Sequence, residues 1–377
     1  MKIYTITCHD VYNYGASLQA YALQHYLESK GHEVTIIDYL PSYMDKAYKI
    51  KWNSYELPLA SKFYKYKYRI PCLEFLYKSW LCIKQICFIL KKWKRKVAFD
   101  DFKKSFLKTT NRHFRTYDEL VGANFEANAF IAGSDQIWNT AFHNGLDPSF
   151  YLEFAKGKRI AYAASFGLSE LDDSDKPKIR QYLSGISNIS VREKTGLGIL
   201  KDLGYVGTQV LDPVFLLERR QWFKICTNKY CFKSFVLVYN LGPLNENIRK
   251  CAVKIAKENK LKIVSIEEIG SMSYADTRIT NAGPSEFLEL FSKASFVVTN
   301  SFHATAFSLL FNVPFYCFIK NKTASRIKDV LDKFELTDRL NPNVDIYDSK
   351  LNWNTVNKKI ADGRKNAISF LLNALTM

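Results

Sequence analysis

Four short stretches place polar and ionisable side chains where an apolar run ends, and each could do chemistry. In Thr299-Asn300-Ser301-Phe302-His303, the run Phe296–Thr299 delivers Asn300 and Ser301 to a strand end, and His303 opens the helix that follows. An imidazole titrates near neutrality, so a His there can act as general acid or base; the plainer reading is a helix-capping residue. Gly133-Ser134-Asp135-Gln136-Ile137-Trp138-Asn139 follows the buried-strand run Ala129–Ala132. Gly133 permits close backbone approach, Ser134 and Asn139 offer hydroxyl and amide groups, and Trp138 can stack on a sugar. The competing reading is a capped turn with a buried Trp. Ser165-Phe166-Gly167 ends another strand, and Arg192-Glu193 ends the next. The planar fork of Arg192 suits a phosphate or carboxylate, or a salt bridge to Glu193. Asn13-Tyr14-Gly15 stands directly before a helix, whose first N–H groups could hold an anion, although any strand-to-helix turn favours Asn and Gly. Arg326, opening another helix after Thr323-Ala324-Ser325, offers a second cation to the His303 region.

These stretches need strands and helices to carry them. Residues 3–38 read as strand, helix, strand: an apolar run at Ile3–Thr7, a helical face of Leu18, Ala22, Leu23, Tyr26 and Leu27 stopped by Gly31, then Val34–Ile37. That is how a doubly wound sheet begins. The alternation resumes at Ala129 and continues to a short strand at Gln209–Leu211. It breaks around 218–233, the expected interdomain connection, and is repeated by a second half. The expected organisation is α/β: a Rossmann-like domain over 1–218 with a helical insertion at about 41–112, a second Rossmann-like domain over 233–345, and a C-terminal helix within 350–377. Two such domains leave a cleft between the carboxyl ends of their sheets, where ligands of these folds bind.

The charge is uneven. The net formal charge is +17, and 18 Lys or Arg against 5 Asp or Glu between Pro41 and Arg112 put +13 of it in the insertion. A nucleic-acid binder spreads basic charge over a face or groove; here one segment carries it, and no nucleic-acid partner is expected. Leu76, Trp80, Ile83, Cys87, Leu90 and Trp93 fall at helical spacing among lysines. Residues 73–96 can therefore lie on an anionic membrane surface or pack on the sheet with solvated lysines. The eight Cys form no C-x-x-C, and the other five His make no ligand spacing, so no metal is expected. Most Cys sit in apolar runs and read as reduced core residues. The start of the chain does not read as a signal peptide, and no run is long enough to span a bilayer. A cytoplasmic protein is expected, peripheral to the membrane if the insertion docks.

Taken in order, Asn13-Tyr14-Gly15, Leu18-Gln19-Ala20-Tyr21-Ala22-Leu23, the Gly133–Asn139 stretch, Ala161-Tyr162-Ala163-Ala164-Ser165-Phe166-Gly167, Ile189-Ser190-Val191-Arg192-Glu193-Lys194-Thr195-Gly196, Leu211-Asp212-Pro213 and Thr299–Phe307 resemble the polysaccharide pyruvyl transferase family. The resemblance covers about 2–334 without the insertion. It implies a GT-B-like arrangement and transfer of a pyruvyl group from phosphoenolpyruvate to a sugar or lipid-linked oligosaccharide as a ketal, with no further cofactor. It also puts the family's catalytic His at His303. Many members have an Arg two residues before that His, where this chain has Ser301. On this reading Arg192, Arg326, Asn300, Ser301, Asn13 and Gly15 hold the donor. Gly133, Ser134, Asp135, Gln136, Trp138, Asn139 and Ser165 hold the acceptor. The competing readings are a GT-B glycosyltransferase using a nucleotide sugar and an inactive, membrane-associated assembly protein.

Overall fold

Short runs rich in β-branched and aromatic residues make the strands, and several are buried along their whole length. Phe235–Tyr239 reads Phe-Val-Leu-Val-Tyr, and every residue is buried, as expected of a parallel strand covered by helices on both faces. The computed structural model describes residues 1–44, 71–268, 272–319, 325–343 and 350–376. Residues 45–70 of the basic insertion, and Thr323 and Ala324 before Arg326, lie outside the described residues.

The first sheet contains β1 (Lys2–Ile6), β2 (Glu33–Ile36), β3 (Ala129–Ala132), β4 (Lys158–Ala164), β5 (Asn188–Val191) and β6 (Thr208–Gln209), in the order β2-β1-β3-β4-β5-β6. The second contains β7 (Phe235–Tyr239), β8 (Lys262–Ile266), β9 (Thr277–Ile279), β10 (Phe296–Thr299) and β11 (Phe315–Cys317), in the order β11-β10-β7-β8-β9. Every pairing is parallel. The helices are α1 (Tyr14–Ser29), α2 (Pro71–Phe106), α3 (Tyr117–Gly122), α4 (Lys176–Leu183), α5 (Lys194–Asp202), α6 (Arg219–Phe223), α7 (Glu246–Asn259), α8 (Pro284–Lys293), α9 (Phe302–Phe311), α10 (Ser325–Phe334) and α11 (Trp353–Thr376). The molecule is thus α/β, with two Rossmann-like sheets. Each has one point where strand order reverses: between β1 and β3 in the first, between β7 and β10 in the second. Loops leaving such a pair diverge and open a crevice at the carboxyl ends.

The lobes share apolar packing. Tyr14 stacks on Phe287 with ring centroids 4.5 Å apart, and its hydroxyl donates to the Ala282 carbonyl at 2.9 Å. The chain then returns: α11 lies against the first lobe, where Arg364 Nε donates to the Phe215 carbonyl at 2.6 Å. Gly363 lets it approach closely, since a Cβ there would stand 2.6 Å from the Leu211 side chain.

Several elements differ from expectation. The insertion helix continues ten residues past Lys96, to Phe106, because Phe99 and Phe102 bury their rings near Tyr14 and Tyr21. It also reaches the second lobe, with Lys92 Nζ donating to the Glu268 carbonyl at 2.6 Å and Arg95 Nη2 to the Glu268 carboxylate at 3.0 Å. The strand expected at Gln209–Leu211 ends at Gln209; Val210 and Leu211 turn into the core instead. The connection at 218–233 holds α6, built round the buried Trp222. Among the described cysteines Cys251 and Cys317 are buried, but Cys87 and Cys231 are exposed, so the expectation of core cysteines holds only in part.

Candidate active site

The two reversal points face each other across a cavity of about 490 Å³. The first lobe supplies Asn13 from the β1–α1 turn and Asp135 and Gln136 from the loop after β3. The second supplies Leu241, Pro243 and Asn245 from beyond β7, Asn300 to His303 from the turn between β10 and α9, and Arg326 from α10.

His303 stands at the second position of α9. Ser301 caps that helix, its hydroxyl accepting from the Ala304 N–H at 3.5 Å. Asn300 fastens the turn to the loop after β7, accepting from the Leu241 N–H at 2.7 Å and donating to its carbonyl at 2.9 Å. The imidazole crosses to the other lobe and rests on the backbone of Gly15 near the start of α1. A Cβ at Gly15 would lie 1.9 Å from His303 Nδ1, so no larger residue leaves the ring in place. His303 Nε2 is 3.7 Å from Asp212 Oδ2, an ion-pair separation too long for a hydrogen bond, and has no hydrogen-bond partner among the described residues.

Asp212 is the hub beneath the ring. Its carboxylate accepts from Arg192 Nη1 at 2.6 Å, Ser134 Oγ at 3.1 Å and the Val214 N–H at 3.1 Å. Burial alone would raise its pKa, but the opposing pull of His303 and Arg192 holds it well below the usual carboxylate range. Arg192 is buried, with Nε 3.3 Å from Glu193 Oε1 and the guanidinium 4.5 Å from the centre of the Phe302 ring. Glu193 and Asp212 outweigh the burial that would lower its pKa. Arg326 faces the cavity with Nη1 4.0 Å from Asp135 Oδ1; burial and the neighbouring Arg192 charge lower its pKa from the ordinary arginine value. Arg192 Nη2 and Arg326 Nε, like His303 Nε2, are buried without a hydrogen-bond partner among the described residues. A buried donor left so costs about 1–3 kcal/mol. The edges of His303 and Arg326 stand at the cavity and that of Arg192 in the crevice behind it, and together they suit an anion with several acceptor oxygens.

The residues expected on the donor side are thus gathered here, in two layers. Asn13, Asn300, Ser301, His303 and Arg326 line the cavity. Gly15 lies under the ring, and Arg192 sits behind Phe302, in a narrow crevice shared with Asp212 and Arg326. Asn13 spends its side-chain oxygen on the Ala16 N–H, capping α1. Those expected on the acceptor side divide. Asp135 and Gln136 reach the cavity; the others face inward. Trp138 is fully buried, stacked on Tyr151 at 5.2 Å with its indole N–H on the Phe150 carbonyl, so its ring offers no platform for a sugar. Gly133 is buried in the core. Ser134 donates to the Ala163 carbonyl at 2.8 Å, Asn139 donates to Gln136 Oε1 at 2.7 Å, and Ser165 is buried against Glu193. These residues brace the site from behind.

Two further residues complete the arrangement: Asp212, beside His303, and Glu193, which holds both Arg192 and Ser165. The signal for Asp212 is the Asp-Pro pair closing an apolar run, since a carboxylate at a carboxyl edge has few uses except capping or a cation. Among the described residues no group of three or more His, Cys, Asp or Glu could hold a metal ion, and no helix is long and apolar enough to cross a membrane.

Two Rossmann-like lobes facing across a cleft, with the last helix returning to the first lobe, define a GT-B-type fold. Solved structures agree. UDP-GlcNAc 2-epimerase from Neisseria meningitidis, bound to UDP-GlcNAc, is similar over 99% of this chain and 100% of its own, at 10% identity and a TM-score of 0.52. The S. aureus MnaA–UDP complex is similar over 97% of this chain and 88% of its own, at 13% identity and a TM-score of 0.50. Identities this low establish the fold alone. Comparison with curated proteins finds no match. The polysaccharide pyruvyl transferase family profile matches residues 13–320, from the β1–α1 turn to just past β11, and the chain belongs to that family.

Proposed function

We propose that this pyruvyl transferase takes its group from phosphoenolpyruvate and closes it as a ketal on two hydroxyls of a sugar. The observation that carries this reading is the cavity lined by His303 and Arg326, each with a ring or N–H edge unspent, and backed by Arg192 with a third such edge in the adjoining crevice. Phosphoenolpyruvate carries a phosphate and a carboxylate, and both match guanidinium forks and helix N-termini.

The chemistry runs as follows. A proton from His303 goes to the methylene carbon, making a methyl group and leaving the central carbon electron-poor. One sugar hydroxyl adds to that carbon and returns its proton to the imidazole. The carbon–oxygen bond to phosphate then breaks, and the second hydroxyl closes the ring, its proton leaving with the phosphate. Asp212 stands 3.7 Å from the imidazole, and Arg326 brings a guanidinium to the cavity that Ser301 does not. The decisive assay incubates the protein with phosphoenolpyruvate and a panel of nitrophenyl and lipid-linked sugars. Phosphate release matched by a mass gain of one pyruvyl unit is expected. Thermal protection by UDP- or GDP-sugars, with none from phosphoenolpyruvate, would overturn the assignment.

We propose further that α2 rests on an anionic membrane, where a lipid-linked acceptor would be found. Trp80, Ile83, Leu90 and Trp93 are each more than half exposed on one helix, within a segment whose net charge is +13. Co-sedimentation with vesicles containing phosphatidylglycerol, lost on replacing Trp80 and Trp93 with Ala, is expected. Equal binding to neutral vesicles would remove the charge argument.

A further inference from the structure

A second cavity, of about 440 Å³, is lined in part by two loops that also line the first. Where the β1–α1 turn gives Asn13 to the catalytic cavity, it gives Val11 to this one. The loop after β3 gives Asp135 and Gln136 to the first, and its continuation, Thr140 to Asn144, to the second. The continuation is tied to the start: Asn144 Nδ2 donates to the Gln136 carbonyl, and a Cβ at Gly145 would lie 2.3 Å from the Asn139 backbone.

The described lining is apolar and polar but uncharged in the main, with Tyr43, Phe142 and His143 as its rings. Phe142 is 56% exposed, unusual for a phenylalanine on a braced loop. The Tyr43 ring lies 5.6 Å from that of His143. Asp147 fixes Tyr43 by accepting its hydroxyl and also accepts from Tyr39 at 2.6 Å. Among the described residues no Lys or Arg lines this cavity, in contrast to the catalytic one, so the described lining offers an anion no guanidinium or ammonium group. It suits a pyranose ring, whose C–H faces can pack on the Tyr43 and Phe142 rings with Thr140 and His143 at its hydroxyl edge. The volume falls in the range of about 300–1,000 Å³ typical of small-molecule sites.

We infer that this cavity is a subsite for the sugar next to the one that is pyruvylated, with Phe142 as the stacking platform. The inference rests on the reading that the catalytic cleft takes a sugar acceptor. It moves the platform from Trp138, which is buried, to a ring further along the same loop.

The test reads binding, so it does not depend on turnover or on the donor. Nitrophenyl glycosides of glucose, galactose and mannose are titrated calorimetrically against those of cellobiose, lactose and maltose. At least one disaccharide should bind about tenfold tighter than its matching monosaccharide. Phe142→Ala should abolish that gain and leave monosaccharide affinity unchanged, and Phe142→Trp should keep it. The subsite is refuted if no disaccharide gains over its monosaccharide, or if Phe142→Ala weakens both alike. If phosphoenolpyruvate proves not to be the donor while the Phe142-dependent gain persists, the subsite stands and only the donor reading falls.

Discussion

Two histidine–carboxylate pairs sit at the carboxyl end of this molecule's first sheet, and they are built to opposite specifications. His9 is fully engaged. Its Nδ1 lies 3.2 Å from the Thr7 carbonyl and its Nε2 3.2 Å from Asp38 Oδ1, while Lys103 at 3.1 Å and His113 at 3.3 Å share the same carboxylate. His303 comes from the other lobe and stops 3.7 Å short of Asp212, with Nε2 unspent. The first pair is a satisfied knot that fastens the β1 loop and α2 to the end of β2. The second gives up a hydrogen bond and faces a cavity. In these two pairs the difference is one of satisfaction: the imidazole at the cavity keeps a nitrogen without a hydrogen-bond partner, and the one in the knot has both engaged.

Removing either imidazole should therefore have different consequences. His303→Ala is expected to lower kcat by a hundredfold or more with little change in thermal midpoint. An intact fold with unaltered turnover would take His303 out of the mechanism. The next effect works through position. Gly15→Ala adds one methyl group 1.9 Å from His303 Nδ1, so the ring must move. Displacement of a catalytic group by about 1 Å can cost up to roughly a hundredfold. A ten- to hundredfold fall in kcat is expected, with the KM for donor changed less; wild-type kcat would mean the ring is not needed where it lies.

The contrast also marks what the sequence could reveal. The doubly wound halves are legible because buried parallel strands are short apolar runs, and Ile3–Thr7, Ala129–Ala132 and Phe296–Thr299 stand out between helical periods. The edge strand β9 is not, because Thr277–Ile279 is only three residues long and carries a charged Arg278 at its centre. Reading polar residues at strand ends and helix starts points His303, Arg326, Asn300 and Asn13 to one neighbourhood, and all four line the same cavity. It fails to separate layers. Ser134, Trp138 and Ser165 share the same loops as Asp135 and Gln136, and which way a loop side chain turns depends on packing partners far away in the chain. Tyr151, which covers Trp138, and Glu193, which takes Ser165, come from other segments. The role of Asp212 is hidden for the same reason, although its Asp-Pro pair is visible: its partners come from Ser134, Arg192 and His303, three separate elements.

The smallest effect on activity is expected at the satisfied pair, where the readout is stability. Burial would raise the Asp38 pKa, but His9 and Lys103 hold it well below the usual carboxylate range. A carboxylate with a depressed folded-state pKa stabilises the fold above its unfolded value of about 3.9, and the contribution fades as pH falls below that. Asp38→Asn should therefore cost about 1–3 kcal/mol near neutral pH, the range for losing charge-assisted hydrogen bonds, seen as a lower urea midpoint. The gap between variant and wild type should narrow steadily from about pH 4 downward, where the unfolded chain's carboxylate takes up a proton that the native one still refuses. Turnover at pH 7 should stay within about twofold of wild type, because none of the Asp38 partners lines the catalytic cavity. A stability gap independent of pH would mean that Asp38 acts through packing and not through charge. A large loss of turnover with stability unchanged would reverse the roles assigned to the two pairs.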